Sequence, residues 1–171
     1  MFEGWANFYL MIGSAAGALI GLLFVVATLT GNLGREQAQR GSTVYLTPTV
    51  FHFAVVLVAS AITAVPQLDI RTAAGLLAAA GLWGLIYAAN IARMVARRDT
   101  LGEPHWTDFW CYGVGPAVLY AAELAAAGAL GMGVSWAPQA LAAALLALLL
   151  LTIRNAWDLV TYLAPAAAGK R

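Results

Sequence analysis

The chain is poor in charge. Acidic and basic residues together make up 10% of its 171 positions. A soluble domain of this size carries about 25%, so these few charges do not cover a water-exposed surface. Lysine occurs once, at Lys170, and cysteine once, at Cys111. A single cysteine excludes a disulfide-stapled scaffold. The net charge of +1 supplies no basic field, so nucleic acid is not an expected partner. Disorder is excluded as well, because it needs low hydrophobicity and high net charge. The motifs of common chemistries are missing too. There is no phosphate-cradling glycine loop, no H-E-x-x-H, no G-x-S-x-G, and no pair of aspartates within an apolar stretch. No enzyme activity and no cofactor are expected.

What is abundant is apolar surface. Hydrophobic residues make up 62% of the chain, and the mean hydropathy is +0.79. A membrane-spanning helix needs about 20 mostly apolar residues, given a hydrocarbon core about 30 Å thick. Five stretches meet that test, at about 8–30, 48–65, 72–94, 109–132 and 137–159. They are continuously apolar rather than alternating over about 10 residues, which argues against a barrel. The expected fold is therefore all-α, a polytopic membrane protein forming one bundle of five transmembrane helices over residues 1–171. Local signals agree. Thr47 before Pro48 reads as a capping hydroxyl and an N1 proline. Pro66 stops the second stretch, and Gly131, Gly133 and Pro138 frame a tight turn before the fifth.

The basic residues are distributed unevenly. Arg35, Arg40, Arg93, Arg97, Arg98, Arg154, Lys170 and Arg171 fall on one side of this five-span layout, and Arg71 alone on the other. The positive-inside rule then places the C-terminus in the cytoplasm and the N-terminus outside. Met1 to Trp5 contains no lysine or arginine, so the first stretch is expected to remain as an anchor and not to be a signal peptide. Arginine in preference to lysine, with heavy alanine use, suggests a bacterial inner membrane. Tyrosine and tryptophan near both ends of the spans, such as Trp5, Trp136 and Trp157, suit aromatic belts.

Several residues stand out against this background. Gly13, Gly17 and Gly21 form a doubled G-x-x-x-G row, which lets helix backbones approach where lipid offers no hydrophobic drive. Asn7, Ser14, Gly21 and Thr28 form a neighbouring stripe. On the second span Thr49, His52, Ser60 and Thr63 form one polar stripe that should face protein. His52 is either a neutral histidine bonded to a neighbouring backbone group or hydroxyl, or part of a proton relay or ion contact. On the third span Tyr87, Asn90 and Arg93 are three apart, and Trp83, flanked by Gly81 and Gly84, is expected to fill a packing gap.

The fourth span is the most informative. Tyr112, Pro116, Tyr120 and Glu123 recur at steps of four, four and three, so they share a face. Pro116 frees a carbonyl about one turn back. Glu123 lies 14 residues beyond Phe109, ~21 Å deep. An ionisable group there costs several kcal/mol unless it is paired, protonated or wet. No lysine or arginine shares its depth. Its possible partners are the hydroxyls and amide of Ser14, Ser60, Thr63 and Asn7, a bound proton or cation, or Arg71 at the boundary.

Arg93, Arg154, Asn155 and Asp158, with His52, Asn90 and Tyr112, form a polar layer near the Arg-rich surface. Arg154 and Asp158 are spaced for an i,i+4 ion pair. His105, Asp108 and Cys111, each three apart, make a thin metal-like pattern that lacks a fourth ligand. Otherwise no metal is expected. The candidate ion or proton pathway is thus Glu123, Tyr120, Tyr112, His52, Ser60, Thr63 and Asn90. Two functions fit. One is a homo-oligomeric channel or transporter for protons or cations, running between subunits because five helices are too few to enclose a wide pore. The other is a non-catalytic membrane subunit or assembly factor of a larger complex. The expected partners are the lipid bilayer, further copies of the chain and, in the second case, another membrane protein.

Overall fold

The structure is a computed structural model, and it describes residues 2–30, 45–97, 107 and 109–168. It is all-α, with no strand among the described residues. A short 3-10 turn, Glu3–Trp5, leads into α1 (Ala6–Thr30). Then come α2 (Thr47–Ala64), α3 (Ile70–Ala96), α4 (Gly115–Gly131), which a π-helical turn at Phe109–Val114 precedes, and α5 (Ala137–Ala168). Among the described residues, five helical stretches are long and apolar enough to cross a membrane, Phe109–Gly131 counting as one. The helices start and stop within about two residues of the hydropathy-based bounds, except that α5 runs on past 159.

The start of α2 differs from the expected cap. Leu46, not Thr47, occupies the N-cap position, and no side chain caps it. Tyr45 and Leu46 are already wound as π-helix, so the Thr47 hydroxyl has no free first turn to serve. Pro48 does stand at the start of α2, where its fixed φ suits the helix. At the other end, Val65 leaves the helix in extended conformation just before Pro66. Asp69 then opens α3, its carboxylate accepting from the amides of Arg71 and Thr72.

The α4–α5 turn is a Schellman closure. The Val134 amide donates to the Ala129 carbonyl and the Gly133 amide to the Leu130 carbonyl, both at 3.0 Å. Gly133 has φ 76, a left-handed backbone that a side chain would strain.

These short turns make α2 antiparallel to α3 and α4 to α5, and the pairing of Gly84 with Tyr120 and of Gly131 with Ala74 makes α3 and α4 antiparallel too. Near the N-terminus the Tyr9 hydroxyl, fully buried, donates to the Pro138 carbonyl at 2.9 Å. The start of α1 therefore lies at the same end as the α2–α3 and α4–α5 turns. Arg93, Arg97 and Arg154 mark the opposite end, called here the Arg-rich end. α1 packs on α2 and α5, α3 on α2 and α4, and α4 on α5, while α2 also reaches α5. α2 and α4 thus lie across the bundle from one another.

Candidate functional site

Helix direction brings the site together. α2 and α4 both begin at the Arg-rich end, and helical side chains lean back toward their own N-terminus. Tyr120 therefore leans from mid-α4 toward the start of α2, where His52 sits. The Tyr120 hydroxyl and His52 Nδ1 share a hydrogen bond of 2.8 Å, and both residues are buried. Either group can be the donor, according to the histidine tautomer.

The bond crosses the bundle because of a glycine on α3. A Cβ at Gly84 would fall inside the Tyr120 ring, so the ring occupies the space that a side chain there would fill. One turn along, the Glu123 carboxyl packs beside Gly81, whose Cβ would sit 3.4 Å from Glu123 Cδ. Glu123 is 1% exposed, and neither carboxyl oxygen has a hydrogen-bond partner among the described residues. His52 Nε2 is equally buried and unpartnered. Tyr87 of α3 adds a ring edge-on to His52, with centroids 6.3 Å apart. An acid, a phenol and an imidazole thus sit in the interior, each able to hold a proton, and the acid and the imidazole each have polar atoms without a partner.

The other sequence candidates occupy different places. Ser60 is buried with its hydroxyl unpartnered, and its Cβ lies where a Gly13 side chain would begin, at 2.8 Å. The Thr63 hydroxyl returns to the Ser60 carbonyl. Asn7 and Ser14 are exposed. None of these groups bonds Glu123. Arg71 is exposed on the first turn of α3. Asn90 stands apart from the interior group: it is exposed, and its Oδ1 accepts from Arg93 at 3.1 Å.

Tyr112 belongs to a separate arrangement at the Arg-rich end. Its hydroxyl donates to the Asn155 carbonyl at 3.0 Å, while Asn155 Nδ2 donates to the Cys111 carbonyl at 2.8 Å. The reason is Pro116. A π-turn pairs each carbonyl with the amide five residues on, and five residues past Cys111 the ring nitrogen of Pro116 has no proton. Asn155 supplies the missing donor. Arg154 reaches Asn155 Oδ1 at 3.2 Å and Asp158 at 3.7 Å, the last pair being exposed. A surface pair of this kind contributes little, about 0.3–0.5 kcal/mol.

The glycine row of α1 divides. Gly13 meets Ser60 closely, Gly17 has only Leu57 at 4.0 Å, and Gly21 has no neighbouring atom within 4 Å. Steps of four drift by about 40° each on a 3.6-residue helix, so the row rotates away from α2. Trp83 does not fill a gap between helices. It is 69% exposed and walls an apolar groove with Phe51, Val55, Val58 and Ala80. The gap beside it is filled by Tyr120 and Glu123. Gly81 and Gly84 were legible only as small residues around a tryptophan, because their partners lie on another helix. Of the metal-like trio, His105 and Asp108 lie outside the described residues. Cys111 is a free thiol, half-buried. No group of three or more metal-binding side chains occurs among the described residues.

No family model, curated protein or solved structure matches the chain.

Proposed function

We propose that this is a multi-pass protein of a bacterial inner membrane that binds and releases protons in its interior, as part of a homo-oligomeric proton channel or transporter. One observation carries the reading: Glu123 is buried with both carboxyl oxygens unpartnered, three residues beyond a tyrosine that is hydrogen-bonded to a buried histidine. An ionisable group placed at such depth without a partner costs stability, and such groups in membrane helices mark ion and proton routes. The uneven arginines support an N-terminus outside and the Arg-rich end in the cytoplasm.

The surroundings favour a proton over a metal cation. A hard cation requires six or more oxygen ligands, or several retained waters. A proton needs one lone pair at each stop. Glu123, Tyr120 and His52 supply such lone pairs in sequence along α4 and α2.

The test is proton uptake into liposomes carrying the purified protein, with an enclosed pH-sensitive dye and a potassium ionophore to dissipate the potential. The parent protein takes up protons after an external acid step. Glu123→Gln keeps the shape and removes titration, so it folds and uptake falls to the leak of empty vesicles. Unchanged uptake in a folded Glu123→Gln protein overturns the reading. A parent protein that carries no flux and purifies within a larger complex favours instead the non-catalytic subunit.

A further inference from the structure

We infer that the Glu123 site communicates with the Arg-rich end alone and is sealed from the opposite end by an apolar plug. This rests on the reading of Glu123 as a proton site and adds the side from which it is filled.

The buried polar groups are unevenly placed along the bundle. Glu123 lies eight residues before the end of α4, so ~12 Å of helix separates it from the turn-bearing end. Its side chain leans the other way, toward the α4 N-terminus. In the intervening layer the buried side chains include Ala127 and Leu130 of α4, Leu77 of α3, Leu141 and Leu145 of α5 and Ile12 of α1. Three buried or half-buried hydroxyls occur there among the described residues. That of Tyr9 is committed to the Pro138 carbonyl and that of Thr63 to the Ser60 carbonyl. That of Ser60 is unpartnered and sits on the α1 side of α2, against Gly13. No hydrogen-bonded sequence crosses this layer among the described residues.

Toward the Arg-rich end the composition reverses. Tyr120 and His52 are directly bonded. Thr49, fully buried, follows one turn nearer the end, and its hydroxyl reaches the Tyr45 carbonyl at 2.6 Å. The Tyr45 ring in turn packs edge-on against Tyr112, with centroids 5.0 Å apart. Thr152 and Asn155 are the buried polar groups of α5, and both lie on this side.

The ionisable groups around Glu123 are few. Its own helix carries Tyr120, with Tyr112 and Cys111 in the turn before it. α3 presents Tyr87, with Arg71 and Arg93 exposed near its ends. α2 presents His52. Among the described side chains, α1 contributes only Tyr9, and α5 contributes Arg154 and Asp158, both exposed at the Arg-rich end. Among the described residues, the buried titratable groups nearest Glu123 along the bundle, Tyr120 and His52, therefore lie on its Arg-rich side. Moving a proton through ~12 Å of leucine and alanine is costly, because an unsolvated charge in such a layer has no compensating partner. The arrangement is filled from one face and is not an open conduit.

The test reads Glu123 protonation while the pH of one face is changed. Protein in sealed vesicles is sorted to a single orientation by capture on a C-terminal tag. The infrared carbonyl band of the protonated carboxyl is assigned by its absence in Glu123→Gln. A second measurement needs no variant: a hydrophobic carbodiimide forms an adduct with a protonated carboxyl, located by peptide mass spectrometry. An acid step on the Arg-rich face is expected to raise both signals at least tenfold faster than the same step on the other face. Equal rates, or a faster response from the other face, overturn the inference and leave the proton site standing. A site that responds from neither face removes the proton site and the inference with it.

Discussion

His52 on α2 and Tyr120 on α4 are hydrogen-bonded at 2.8 Å although their helices lie across the bundle from each other, and Gly84 on α3 provides the space through which they meet. Three helices are pinned by this one contact. Tyr120→Phe retains the ring and removes the hydroxyl, leaving His52 Nδ1 buried without a partner. The expected loss is roughly 0.5–2 kcal/mol, read as a lowered melting temperature in mild detergent. The His52 imidazole nitrogen signals should shift in the same variant. A variant that matches the parent in both measurements shows that the bond does not hold the bundle.

Gly84→Ala tests the same contact from α3. The new methyl would occupy the Tyr120 ring position, and overpacking of this kind costs about 1–3 kcal/mol. Gly75→Ala is the control, since Gly75 is exposed and has no neighbour within 4 Å. Adding Tyr120→Leu to Gly84→Ala should recover part of the loss, because the shorter side chain vacates the contested volume. Equal stability of the two alanine variants would place the Tyr120 ring elsewhere.

Glu123→Met should raise stability while abolishing proton uptake. Methionine fills a similar volume and carries no unpaired polar atoms, and an unsatisfied buried polar group costs about 1–3 kcal/mol. Chemical denaturation in detergent and the dye assay check the two halves separately. A large loss of stability would mean that Glu123 has an essential partner.

On α1 the three glycines should respond unequally. Gly13→Leu drives a side chain into Ser60 and should separate α1 from α2, lowering the melting temperature by several degrees. Gly21→Leu meets open space and should leave the monomer's stability unchanged. If Gly21→Leu instead lowers the oligomer size on a sizing column, that face is a contact between copies.

Asn155→Leu removes the donor that replaces the missing Pro116 amide at the Cys111 carbonyl. The orphaned carbonyl should cost about 1–3 kcal/mol. Hydrogen exchange at Phe109–Val114 is expected to rise first, because the π-turn loses its tie to α5. Unchanged protection there would show that the turn needs no tie.

The five helices and their approximate ends were decided along the chain itself. Lipid leaves every backbone group to be satisfied within its own segment, so a run of about 20 apolar residues becomes a helix whatever its neighbours. Pro48, Pro66 and Gly133 act on their own backbone, and their roles depend on adjacent residues alone. Glu123 could be singled out in the same way, since its depth follows from a residue count and the missing base partner from a reading of the other spans. Pairing across the bundle is different. His52, Gly84 and Tyr120 are 32 and 36 residues apart in turn, and their meeting depends on which face each helix turns toward the others. Periodicity names a face and not its neighbour. For that reason Gly81 and Gly84 could be read as companions of Trp83, whereas packing turned Trp83 outward and gave their space to Tyr120 and Glu123. The polar stripe of α2 also divides only in three dimensions: His52 meets α4, and Ser60 meets Gly13 of α1. The chain determines what each helix can offer, and the packing angle and rotation of α3 between α2 and α4 decide which offers meet.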